Sequence, residues 1–147
     1  ICSNYRPTER TAALGLIQLR KLPAAQERRR VLTKRYRTQL SVRSDMVIPF
    51  ADHTAGSAYH IVPLVLPNRE MRGPFRSALD RRGVQTSVHY PPVHLFTHYE
   101  RTQPGTALPV TEDVASREVT VPLHPLLEVA DVDQISELII AAFDEVG

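Results

Sequence analysis

The sequence predicts an α+β fold, a small and mostly antiparallel sheet with helices on one side. Three observations lead there. Both ends of the chain carry long stretches in which apolar residues recur at helical spacing. Short runs rich in Val, Ile, Thr and Tyr fill the middle, at 57–66, 84–89 and 119–123. Gly83 and the Pro104-Gly105 pair punctuate those runs as helix cap and loop.

Taken in order, Thr8 is placed to cap a first helix, with Pro7 just outside it. Residues 12–22 are apolar on almost every face, the pattern of a helix buried between two layers. Gly15 within it lets another backbone approach closely. Pro23 is expected to break or bend the path. A second helix follows over 24–41, with Ala25, Leu32, Tyr36 and Leu40 as its apolar stripe among Arg28, Arg30, Lys34, Arg35 and Arg37. Residues 46–50 read as a short strand and 57–66 as a stronger one, in which Pro63 requires an edge or a bulge. Residues 72–82 form a short helix closed by Gly83, and 84–89 return as a strand. A polar loop at 103–109 leads to a short helix over 111–118 and a strand over 119–123. The last helix carries Val132, Ile135, Ile139, Ala142, Phe143 and Val146. The expected division is helices over 1–41 that lead to, or pack on, a further large domain, and an α+β domain over 42–147.

A chain of 147 residues is one domain by size. No apolar run approaches the roughly 18 residues of a membrane span, and no signal-peptide pattern opens the chain, so no membrane partner is expected. The single Cys2 forms no internal disulfide, which fits a reducing, cytoplasmic setting. The first residue is Ile1, so the chain is expected to start inside a longer reading frame or after trimming. Arg28-Arg29-Arg30 with Arg35, Arg37 and Arg43 raises a basic-helix nucleic-acid module. The net charge of only +2 argues instead for a solvated helix face paired through Glu27, with no nucleic-acid partner.

The chemistry concentrates in Val88-His89-Tyr90-Pro91-Pro92-Val93-His94-Leu95. Paired prolines stiffen this stretch and press the preceding residues towards extended geometry. A rigid loop at a strand end, carrying two imidazoles and a phenol, makes a wall for a polar ligand. The competing readings are a His89 bonded to backbone and a His94 used in loop packing. The Pro91-Pro92 step fixes neither His94 nor His98 towards His89, so no metal site is expected.

Five segments together resemble the DegT family of sugar-nucleotide aminotransferases. They are Asn4-Tyr5-Arg6-Pro7-Thr8-Glu9 with Ala12-Ala13-Leu14-Gly15-Leu16, the Arg-rich helix at 28–40, Ser57-Ala58-Tyr59-His60, the loop from Gly83 to His94, and Val121-Pro122-Leu123-His124-Pro125. The resemblance implies the C-terminal small domain of an aspartate-aminotransferase-type (fold type I) enzyme. It implies pyridoxal phosphate as cofactor, a homodimer, and amino transfer to a keto-sugar nucleotide in amino-sugar biosynthesis. It places Asn4 on the cofactor phosphate of the partner subunit, with Arg6 beside it, and His89, Tyr90 and His94 at the substrate. Such an enzyme holds its cofactor on a lysine. The chain has only Lys21 and Lys34, both on the basic helical stretch and without a phosphate loop nearby. The lysine, and the large-domain half that bears it, are therefore expected on the same or a separate chain, with this chain inactive alone. A stand-alone remnant that binds a partner or a sugar nucleotide is the alternative. The keto-sugar and the carbon aminated are left open.

Overall fold

The computed structural model of the chain describes residues 5–50 and 56–147. Thr8 starts the longest element: its hydroxyl accepts from the Thr11 amide at 3.3 Å and opens helix α1, Glu9–Leu40. The break expected at Pro23 does not occur, and α1 runs through it as one helix of 32 residues. A mid-helix proline removes one backbone bond and costs about 3 kcal/mol. Here the good helix formers on both sides and the anchored second half offset it. That second half buries Leu32, Thr33, Tyr36 and Leu40, whereas Leu14, Leu16, Ile17 and Leu19 in the first half stand 49–63% exposed.

Strand β1, Val62–Val65, pairs antiparallel with β2, Glu118–Val121, in the register Val62↔Val121 to Val65↔Glu118. Two single bridges extend this ladder, Val47 to Val65 on one edge and Ser87 to Thr120 on the other. The runs expected as strands at 46–50 and 84–89 therefore contribute one bridge each. The run at 57–66 shrinks to four residues because Tyr59 turns left-handed, at φ 47°. Phe50, at φ 61°, ends the first run in the same way. Pro122, which has no N–H, ends the last. Pro63 sits as expected for an edge. Val65 exchanges both backbone bonds with Val47, and Pro63 shares its orientation, so the missing donor points away from β2.

Alternation puts Val62, Leu64, Val119 and Val121 on one face of the ladder. These four enter a core with Leu32, Tyr36 and Leu40 of α1, Phe75, Ala78 and Leu79 of α2, and Val132, Ile139, Ala142 and Phe143 of α5. Helix α2 spans Arg72–Arg81 and α5 spans Val129–Val146. The helices thus lie on one side of the sheet. Helix α2 closes as expected: Gly83, at φ 76°, donates to the Asp80 carbonyl and Val84 to the Leu79 carbonyl, a Schellman motif. Glu128 and Asp131 form a reciprocal capping box at the start of α5. Two short helices, α3 (Thr97–Thr102) and α4 (Pro109–Arg117), fill the stretch between the proline-rich loop and β2.

The arginines of α1 are not simply a solvated face. Glu27 pairs with Arg30 as expected. Arg35, however, reaches Asp133 of α5 with two bonds of 2.5 and 2.8 Å, and Gln39 adds a third at 2.8 Å. Arg28 donates to the Leu127 carbonyl and to Glu128 at 2.7 Å each. Arg37 reaches the carbonyl of Phe50. Buried Tyr36 donates its hydroxyl to the Pro122 carbonyl at 2.9 Å, and burial pushes its phenol above the usual tyrosine range. No helix among the described residues is long and apolar enough to cross a membrane.

Phe143 is 1% exposed and meets Phe75 edge-on at 6.1 Å. Phe143→Ala is expected to cost roughly 3–5 kcal/mol in urea unfolding. A loss under 1 kcal/mol would mean that the α2–α5 contact is loose. The bonds from Arg35, then Gln39, hold the Asp133 carboxyl at about 2, below its ordinary 3.8. A carboxyl lowered on folding stabilises the fold above its unfolded pKa and loses that contribution as pH falls through the folded one. Asp133→Asn should therefore lower Tm at pH 7, and the gap to the parent protein should close between about pH 4 and 2. A gap that stays constant across that range would refute the assignment.

Candidate functional site

The face of β2 opposite the core carries Glu118 and Thr120, each only 5% exposed. Beside them opens a cleft of about 350 Å3, with His60, Gln85, Ser87, His89 and Thr120 as its polar walls and Ile61, Val121 and Leu123 among its apolar ones. Sheet geometry brings these together: Ser87 and Thr120 exchange both backbone hydrogen bonds, at 3.1 and 2.8 Å. Arg76 of α2 steadies the same wall by donating to the Thr86 hydroxyl at 3.0 Å.

His89 follows two residues after that bridge. Its amide donates to Glu118 Oε2 at 2.9 Å, and the second carboxylate oxygen accepts from the Thr120 hydroxyl. The His89 ring lies edge-on to Tyr90, with centroids 4.7 Å apart, and its Nδ1 is 3.4 Å from the Ser87 hydroxyl. The peptide bond between His89 and Tyr90 is cis. Tyr90 is 63% exposed and borders a second cleft of about 380 Å3 with His89, Val110, Thr111, Val114 and Glu118. His89 therefore stands on the ridge between two clefts.

His94 goes elsewhere. Its side chain is 9% exposed, and its Nε2 lies 2.9 Å from Glu112 Oε1 of α4. The Leu108 amide donates to the same oxygen at 3.0 Å. The His94 bond first, and the Leu108 amide second, hold the Glu112 carboxyl below its ordinary value. His94 lines neither cleft and ties the proline-rich loop to α4. Arg6 is exposed just ahead of α1, and Asn4 lies outside the described residues. Lys21 and Lys34 are both exposed on α1. Among the described residues, no three His, Cys, Asp or Glu side chains gather as a metal site would require.

Sequence reasoning passed over Glu118, Thr120, Gln85 and Glu112. The one signal available was polar alternation in Glu118-Val119-Thr120-Val121, which puts a carboxylate and a hydroxyl on the same face. The polar part of the first cleft's wall consists of imidazole, amide and hydroxyl groups. Such groups donate and accept without a fixed charge, which suits a hydroxyl-rich ligand.

The backbone bond from His89 to Glu118 survives loss of the imidazole. His89→Ala is therefore expected to keep stability within about 0.5 kcal/mol of the parent. His94→Ala strips a partner from Glu112 and should lower Tm clearly more. Thermal melts that show the reverse order would exchange the structural and exposed roles of the two histidines.

The model of the DegT/DnrJ/EryC1/StrS aminotransferase family matches residues 1–140. The dTDP-4-dehydro-2,3,6-trideoxy-D-glucose 4-aminotransferase of Saccharopolyspora spinosa is 35% identical over 129 residues, which cover 86% of this chain and 32% of that protein. Among solved structures, the aminotransferase TlmJ from Streptoalloteichus hindustanus superposes with a TM-score of 0.82 at 30% identity, over 92% of this chain and 36% of that one. PseC of Helicobacter pylori, an aminotransferase involved in the biosynthesis of pseudoaminic acid, shares the fold. Its TM-score is 0.87 at 24% identity, over 99% of this chain and 40% of that one. The chain thus spans about a third of the length of the curated relatives it matches.

Proposed function

The chain belongs to the DegT/DnrJ/EryC1/StrS aminotransferase family, and we propose that it serves as the C-terminal part of a pyridoxal-phosphate enzyme that aminates a keto-sugar nucleotide. The observation that carries this reading is His89 on the ridge between a cleft with imidazole, amide and hydroxyl groups in its wall and the cleft that Tyr90 borders. In this role the His89 imidazole and the Ser87 and Thr120 hydroxyls bond sugar hydroxyls, and Tyr90 covers the ring. Pro91 and Pro92 keep the ridge from folding back.

In this reading the cofactor is not held by this chain alone, which is supported by the exposure of both lysines on α1, where neither lines either cleft. The anchoring lysine then belongs to a large-domain half, on the same or a separate chain. Asn4 and Arg6 are assigned to the cofactor phosphate across a homodimer, where an amide donor and a guanidinium suit an anion. Residues 1–41 are assigned to helix that leads to, or packs on, that half and residues 42–147 to the small domain, with Leu32, Tyr36 and Leu40 of α1 lent to the small-domain core. Two exposed apolar surfaces support a missing partner. One is Leu14, Leu16, Ile17 and Leu19 on α1, and the other is Val93, Phe96 and Val110 around the loop. Its place is the cytoplasm, in keeping with the single cysteine.

Incubation of the chain with pyridoxal phosphate followed by borohydride should leave no stoichiometric adduct on one lysine by mass analysis. Joined to a lysine-bearing large domain, it should support transfer from glutamate to a keto-sugar nucleotide. His89→Ala should slow that transfer at least tenfold, about 1.4 kcal/mol of barrier. A stoichiometric adduct on Lys21 or Lys34, or full activity of His89→Ala, would refute the reading.

A further inference from the structure

An antiparallel ladder that pairs Ser87 with Thr120 would next pair His89 with Glu118, two residues on along one strand and two back along the other. That pair does not form through the backbone. The Glu118 amide is already used, donating to the Val114 carbonyl at the end of α4. The His89 amide instead donates to Glu118 Oε2 at 2.9 Å. A side-chain carboxylate has taken the place of the main-chain acceptor, and the strand leaves the sheet at the residue that begins the ridge.

We infer that Glu118 is a positioning residue for His89 and Tyr90, which it sets by capturing the His89 amide where the ladder stops. Three observations converge on it. The residue is only 5% exposed, and a carboxylate so placed needs bonded partners to offset its desolvation. Both oxygens are engaged, one by His89 and the other by the Thr120 hydroxyl, so the carboxylate is fixed rather than free to rotate. Those two partners belong to the first cleft, while Glu118 itself borders the second. A main-chain acceptor would have continued the strand and drawn His89 flat along β2. The longer reach of a glutamate holds it off the sheet. That His89 and Tyr90 then meet a sugar nucleotide rests on the reading proposed above. That Glu118 places them does not.

The test is amide hydrogen exchange by NMR on the full chain, with Glu118→Ala and Glu118→Gln. Exchange of the His89 amide should rise at least 30-fold in Glu118→Ala, with Val119 and Val121 changed less than threefold. Glutamine keeps one neutral acceptor, so Glu118→Gln should fall between, at three- to tenfold. The cross-peaks between the His89 and Tyr90 rings should weaken in the same order. If Glu118→Ala does not fold, Glu118→Gln decides alone. His89 exchange unchanged within threefold in every variant that folds overturns the inference. UDP-glucose, titrated against the chain joined to a lysine-bearing large domain and followed at the His89 and Tyr90 rings, separates the two claims. Ring shifts that need at least fivefold more UDP-glucose in Glu118→Gln support both. No shift in the joined parent protein, together with the exchange pattern above, upholds the positioning role and counts against the sugar-nucleotide reading.

Discussion

Strand β2 is four residues long, and both the core and the site depend on its register. Val119 and Val121 enter the core, and each buried valine contributes roughly 1.5–3 kcal/mol. Glu118 and Thr120 take the other face and are buried there among polar partners. A slip of one residue would drive a carboxylate and a hydroxyl into the apolar side and expose the valines. The hydrophobic term that fixes the fold therefore also fixes where the acceptor for His89 sits.

What could be read in the sequence was mostly local. The Thr8 cap, the Gly83 turn and the apolar stripe of α5 each depend on neighbours within a turn or two, and each stands where its residues place it. The ends of the strands could not be read in this way. Phe50 and Tyr59 adopt left-handed conformations that no glycine announces. The run at 84–89 stops because α4, some thirty residues on, occupies the Glu118 amide. The position of His89 and Tyr90 on cleft walls was legible from the stiff prolines behind them. The surroundings of His94 were not, because its partner Glu112 is 18 residues away and joined only by folding.

The basic helix shows the same limit from the side of charge. Composition counts arginines but does not say what they face. In the folded chain, Arg28 and Arg35 span from α1 to the start of α5. Single exposed ion pairs of this kind contribute little, about 0–1 kcal/mol. Asp133 differs because three bonds from two side chains converge on it and lower its proton affinity. Of the six arginines that raise a nucleic-acid surface in the sequence, Arg28, Arg35 and Arg43 pair with carboxylates on α5 or at its start.

That alignment separates two kinds of surface. The second half of α1 is anchored by its core stripe and its arginines, while the first half carries leucine and isoleucine into solvent on the same continuous helix. A rigid helix presents those side chains at no ordering cost beyond that already met by the core. The proline-rich loop, bound to α4 through His94 and Glu112, likewise presents Tyr90 and Val93 on a fixed frame. Both surfaces are apolar and held by elements that fold within this chain. The chain thus has a core of its own, and the folding of that core sets in advance the geometry of both surfaces and of the cleft walls between them.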